Sequence, residues 1–285
     1  MLKVINENDI SVAVDFSFKF SQRPETSSYP LYEDRNKIEE NFKKSLYKNN
    51  SKLLGYYENN KLIAVINFFF IESEKYLQTT GVYIASKYNE VMNELMLKLR
   101  REYSNYRALF GFPKENIDAN NFFVENDYKC IDSCLDMRLN TINLKGIKRN
   151  DNISKLCKDE FDSYKVFHDE HFQGIYWTSE RLREALDDWK IFVYRPKDTI
   201  EGSIFIKVCD ENTMEVFGLS VSDKYIGKGI EEVLLSQGLE NLFRDKPSIK
   251  QTIFFIDDVE GEDLEMVQKL GFDYFSSYRC YQVEL

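Results

Sequence analysis

EVFGLSVSDKYIGKGIEEVLLSQGLENLF, residues 215–243, reads in three parts: an extended run ending at Val221, a short turn carrying Gly227 and Gly229, and an amphipathic helix. Ile230, Val233, Leu234 and Leu242 recur at helical spacing, which marks one helix face for burial. A strand that enters a helix through glycines leaves unbonded backbone N–H groups at the positive end of the helix dipole. Such a turn is an anion cradle, suited above all to phosphate. Two familiar phosphate motifs do not fit. A dinucleotide fingerprint needs GxGxxG, whereas Gly229 is followed by Ile230, Glu231 and Glu232, and no GxxxxGK[ST] run surrounds the turn.

The chain around this segment has 285 residues, enough for one large or two ordinary domains with cores of their own. With 43% hydrophobic and 15% aromatic residues, it is not the composition of a disordered protein. A formal charge of −10 argues against nonspecific binding to nucleic acid or anionic membrane. Lys3, Asn6, Glu7 and Asp9 break any apolar leader, and the longest apolar stretch, 62–71, contains Asn67 and is too short to span a bilayer. The five cysteines, Cys130, Cys134, Cys157, Cys209 and Cys280, form no CxxC pair and are odd in number. That pattern predicts reduced thiols and a cytoplasmic protein.

Both halves show the same order of elements. In the second, helical regions at 153–168 and 179–189 precede a hairpin (191–194 with 203–208), a strand at 214–221, the helix 229–243, a strand at 252–256, a helix at 263–269 and a last extended stretch. In the first, strands at 53–57 and 62–71 flank Asn59–Asn60, then come a strand at 76–84, a helix at 89–101, a strand at 106–112, a helix at 117–124 and a strand at 128–139. The hairpins lie 138 residues apart, and the pairs Asp127–Tyr128 and Gly271–Phe272 lie 144 apart. A regular offset in the order of elements is what tandem duplication leaves. The reading therefore places a boundary in the polar stretch 143–152, giving domains 1–143 and 144–285. The alternative is one large mixed domain.

The segment resembles the pyrophosphate loop of the GCN5-related N-acetyltransferases: a basic or amide residue, two variable residues, then Gly-x-Gly, filled here by Lys224, Gly227 and Gly229. A second family segment, Asn-x-x-Ala-x-x-Leu-Tyr followed by Gly-Phe, is matched in the first half by Asn116, Ala119, Phe122 and Phe123, and in the second by Lys269–Gly271–Phe272. The first half has Ala85-Ser86-Lys87-Tyr88 in place of the glycine turn. The second has Glu260, Asp263, Met266 and Val267 upstream of its Gly-Phe, with Val267 where many members place a tyrosine acid. The resemblance implies an α+β fold: two tandem acyl-CoA N-acyltransferase-like domains, each a central mixed, mostly antiparallel sheet flanked by helices. It implies a degenerate first half, a working second half, and acetyl-CoA as cofactor. Leu219, Ser220 and Val221 would lie beside the pantetheine arm, with Lys224, Ile226, Gly227, Lys228, Gly229 and Ile230 around the pyrophosphate.

Transfer of an acetyl group to an amine needs a neutral amine, a donor to the carbonyl oxygen and a proton for the leaving thiolate. Direct transfer without an acyl-enzyme is the family expectation. Strand period places Glu215 on one face with Phe217, Leu219 and Val221, which nominates it as base; an exposed charge at a strand start is the plain alternative. Asp257 and Asp258 are further acceptors or simply a solvated turn. Tyr274 is the nominated acid, with Tyr278 and Tyr281 behind it in a chain of 18 tyrosines. His168 and His171, the only histidines, occur as HDEH without the further ligands a zinc site needs, so no metal is expected. The sequence thus predicts an acetyl-CoA-dependent N-acetyltransferase acting on a small or peptide amine, the acidic chain favouring a cationic acceptor. A noncatalytic acyl-CoA-binding scaffold, or an acyltransferase with another donor, are the alternatives. Monomer and homodimer stay undecided.

Overall fold

The computed structural model describes residues 1–258 and 261–285, so the Glu260 match lies outside the described residues. The chain forms two compact units, one of residues 1–134 with 276–285 and one of residues 135–275.

The first unit contains β1 (Leu2–Val4), α1 (Ile10–Ser21), α2 (Arg35–Tyr47), β2 (Ser51–Glu58), β3 (Lys61–Ile71), β4 (Tyr76–Ile84), α3 (Tyr88–Glu102), β5 (Arg107–Phe112), α4 (Ile117–Glu125) and the start of β6 (Lys129–Asn140). β1 to β4 are antiparallel, β4 and β5 are parallel, and residues 279–284 pair antiparallel with β5. The β2–β3 turn uses Asn59 and Asn60 at φ 48° and 61°, a conformation asparagine tolerates and tight hairpins require. Asn116 caps α4 by accepting the Ala119 N–H at 3.2 Å. Alternation on β3 sends Ala64, Ile66 and Phe68 into the core with α3 and α4, and Val65 into the core with α1 and α2.

The second unit runs from the end of β6 through β7 (Ile153–Lys155), α5 (Phe161–His171), α6 (Ser179–Glu184), β8 (Trp189–Tyr194), β9 (Gly202–Val208), β10 (Thr213–Val221), α7 (Ile230–Asp245), β11 (Gln251–Asp257), α8 (Gly261–Leu270) and the start of β12 (Asp273–Glu284). Its strand order is β6-β11-β10-β9-β8-β7, with β10 and β11 parallel. One face, carrying Phe192, Ile204, Ile206, Met214 and Val216, packs with Leu234, Leu235, Leu239 and Leu242 of α7 and Val267 and Leu270 of α8. The other, carrying Trp189, Ile191, Val193 and Phe205, packs with Phe161, Tyr164 and Phe167 of α5 and Leu182 of α6.

Two expectations change. The helix expected over 153–168 begins only at Phe161, because residues 153–155 pair with β8 at the sheet edge. The polar stretch 143–152, where the sequence places a boundary, forms a strap along α7. Lys148 Nζ lies 2.7 Å from Glu232, an Arg149 nitrogen 2.5 Å from Glu240, and the Asn150 N–H donates to Gln237 Oε1 at 2.9 Å. Compactness therefore divides the chain at 134/135 and 275/276, where the sequence reading draws one boundary at 143/144.

Candidate active site

The site grows from β10. Its register against β9 runs Val216↔Ile206 and then Gly218↔Phe205, so Phe217 is an extra residue with no partner. One such residue exchanges the faces of everything beyond it. The expected common face of Glu215, Phe217, Leu219 and Val221 is therefore corrected. Leu219 and Val221 lie with Met214 and Val216 on the α7 side, whereas Glu215, Gly218 and Ser220 face α5. Gly218 is required there, because a Cβ would stand 2.2 Å from Phe205 and 2.7 Å from Phe172.

At the same level β10 parts from β11. Their parallel register ends at Val216↔Phe254, although β10 continues to Val221 and β11 to Asp257. The β11-facing backbone of residues 218–221 is left outside that ladder. β10 then enters the turn to α7. Gly227 and Gly229 take φ +70° and +73°, and a Cβ on either would meet nothing within 4 Å. Such positive φ suits glycine and strains other residues. No acceptor among the described residues takes the N–H groups of Gly227, Gly229 or Ile230, and α7 has no side-chain cap. The glycine turn read from the sequence is thus present, with these N–H groups left without an acceptor among the described residues. Of its two acids, Glu232 is paired with Lys148 at 2.7 Å, and burial pushes Glu231 above the usual carboxylate range. Ile226 is 62% exposed, and Lys228 reaches back over the Tyr225 ring. Lys224 is drawn aside into an ion pair with Glu201 at 2.6 Å.

Glu215 sits directly across from Lys207 on β9. Burial pushes its carboxyl up to about 8, with Asp136 adding to the rise and Lys207 and Arg138 opposing it. Asp136 and Arg138 reach this face because Met137 and Leu139 between and beyond them fill the opposite core. Arg138 grips the fully buried Asp136 in a two-pronged bond of 3.0 and 3.1 Å, and its guanidinium lies 3.3 Å from the Phe275 ring centre. Lys207 stands over Trp177 at 4.4 Å and Trp189 at 5.6 Å. None of Asp136, Arg138 and Lys207 is singled out by the sequence reading. The available signal was the charged alternation in Asp136-Met137-Arg138-Leu139. Replacing Arg138 by Met removes the guanidinium from a buried carboxylate and is expected to cost about 3–5 kcal/mol in urea unfolding. It also removes one of the charges that hold Glu215 down.

Other nominees lie elsewhere. Tyr274 is 53% exposed, and its neighbour Phe275 is the residue at Arg138. Strand alternation therefore turns Tyr274 away from the Glu215 face. Val267 is sealed in the α7–α8 core, and Asp257 and Asp258 are exposed at the end of β11. Tyr278 and Tyr281 belong to the first unit. The two histidines part company. Buried His168 has Nδ1 3.0 Å from the Tyr164 hydroxyl and Nε2 2.9 Å from the Trp177 carbonyl oxygen, and burial pushes its pKa down. His171 has Nδ1 3.3 Å from Ser220 Oγ on β10. Among the described residues no helix is long and apolar enough to cross a membrane.

The first unit repeats the order of elements without the glycine turn. Thr80 is an extra residue in β4 against β3, and the β4–β5 register ends at Gln78↔Leu109. At the turn, however, Lys87 takes φ +59°, with its ammonium held by Glu58 and Glu90.

No family profile matches the chain, and neither does any curated protein. Solved structures do. A GCN5-related N-acetyltransferase from Sphaerobacter thermophilus superposes with TM-score 0.73 at 10% identity, over 99% of this chain and 95% of that one. A tandem protein of the same fold from the clavulanic acid biosynthesis pathway gives 0.63 at 9%, over 99% and 98%. A glucosamine N-acetyltransferase region in a fungal multi-domain β-N-acetylglucosaminidase gives 0.69 at 12%, over 99% of this chain and 38% of that one. The fold is that of the GCN5-related N-acetyltransferases.

Proposed function

We propose that this protein is an acyl-CoA-dependent N-acetyltransferase whose second unit does the work and whose first unit is scaffold. The observation that carries the reading is the glycine turn with unbonded N–H groups, placed where β10 parts from β11. These residues fit acetyl-CoA. The backbone of Leu219, Ser220 and Val221 offers hydrogen-bonding groups to an extended amide arm, and the amides from Ile226 to Ile230 receive a pyrophosphate. Gly227 and Gly229 let that pyrophosphate approach the backbone, and Lys228 adds positive charge. Bound there, acetyl-CoA supplies an activated acyl group.

The chain's own residues supply proton handling and acceptor binding. Glu215, with its carboxyl near 8, takes the proton an attacking ammonium must lose, directly or through one water. Burial sets that affinity, with Asp136 adding to it and Lys207 and Arg138 opposing it, so an acceptor reaching this face meets a tuned base rather than a fully ionised carboxylate. Tyr274 is not assigned the acid role. The acceptor is read as a primary amine carrying positive charge, in keeping with a net charge of −10. The test is amine-dependent thiol release from acetyl-CoA across simple amines, amino sugars, polyamines and peptide N-termini. Turnover with any of them supports the reading. Tight acetyl-CoA binding without turnover on any would instead make the protein an acyl-CoA-binding scaffold.

A further inference from the structure

The reaction as argued takes a proton from the amine but leaves open what restores one to the departing thiolate. Val267 is sealed in a core, and Tyr274 faces away from Glu215. One other acid–base pair reaches β10. Ser220 lies beyond the bulge, in the segment where the ladder to β11 has ended, and its hydroxyl meets His171 Nδ1 at 3.3 Å. His171 ends α5, with its ring stacked on Phe167 at 4.1 Å and 17° between planes. It also lines an open cavity of about 630 Å³ together with Phe167, Ile200, Glu201 and Ser222. The hydroxyl on the open strand thus meets an imidazole that itself lines a cavity.

We propose that Ser220 and His171 form the proton relay to the leaving thiolate, a proposal that rests on the transferase reading above. Ser220 Oγ–H donates to the sulfur of coenzyme A, and the Nδ1–H of the His171 imidazolium replaces that proton on Oγ. The S–H and O–H bonds form as the O–H and N–H bonds break, and neutral His171 recovers its proton through the cavity. The charged groups around that cavity are Glu170, Asp198, Glu201, Asp223 and Lys224, with Glu201 and Lys224 paired at 2.6 Å. They give a cationic ring a mainly anionic surround. One helical turn back, His168 has both nitrogens engaged and takes no part.

The relay is tested on bound coenzyme A, without turnover, by following thiolate absorbance against pH in the wild type, Ser220→Ala and His171→Gln. Donation from Ser220 stabilises the thiolate, so both variants are expected to raise the bound thiol's pKa by about one unit. In turnover, both are expected to slow transfer from acetyl-CoA by about 10²-fold, yet to recover with an acetyl thioester whose leaving thiol is strongly acidic. Identical thiol titrations in wild type and His171→Gln, or equal slowing with both donors, would overturn the relay alone. Failure of the folded wild type to bind coenzyme A would overturn the transferase reading and the relay with it.

Discussion

Glu215→Gln is expected to lower kcat/KM for acetyl transfer by roughly 10²–10⁴-fold, the range over which a positioned base contributes. Wild-type activity should rise with pH through the value near 8 to which burial pushes this carboxyl, and that limb should vanish in the variant. Stability should move the other way. A carboxyl ordinarily near 4.5 and near 8 in the fold keeps a proton that the unfolded chain releases. Its contribution is complete below the lower value and is lost as pH rises through the upper one. Gln cannot ionise, so the variant should gain on the wild type between those limits, the gain above them reaching at most about 5 kcal/mol. Paired pH–rate and pH–melting profiles read both effects from the same proteins. A variant that loses activity and stability together would show a structural role for Glu215 instead.

Gly229→Glu and Gly227→Glu are expected to weaken acetyl-CoA binding by about 10²-fold or more. Each places a carboxylate where the cradle would meet phosphate. Each also forces an L-residue into left-handed backbone at φ near +70°, costing about 1–2 kcal/mol. Because an added Cβ meets nothing within 4 Å at either position, the fold should survive, and the circular dichroism spectrum should match the wild type. Gly218→Ala makes a useful contrast: its Cβ would stand 2.2 Å from Phe205, so packing fails before binding does. Calorimetric titration of the three variants separates a loss of the cradle from a loss of the strand that leads to it.

The segment 215–243 was legible because its signals are local: apolar residues at helical period, two glycines at the turn and a strand before them. The repeated order of elements was legible for the same reason. What sequence reading missed depends on a single residue or on distant pairing. Strict period 2 joined Glu215 to Leu219, but Phe217 is left over in the β10–β9 register and reverses the faces beyond it. The glycine at 218, inside a strand, was the visible hint of that bulge. Tyr274 was nominated by chain proximity to Gly271–Phe272, whereas its orientation follows from Phe275 lying against Arg138. Residues 135–140 and 276–284 both read simply as strand. Which compact unit each joins is decided by partners more than a hundred residues away, such as Ala108 for Val283. His171 carries no metal-site signal in the sequence, and its contact with Ser220 depends on where α5 packs, which no local pattern fixes.

The central claim, one coenzyme A site per chain and that site on the second unit's glycine turn, is tested most directly by calorimetric titration of the intact chain with acetyl-CoA. One molecule bound per chain, with affinity lowered by about 10²-fold or more in Gly229→Glu, is the result this structure predicts. Two sites per chain, or one site indifferent to that substitution, would contradict it.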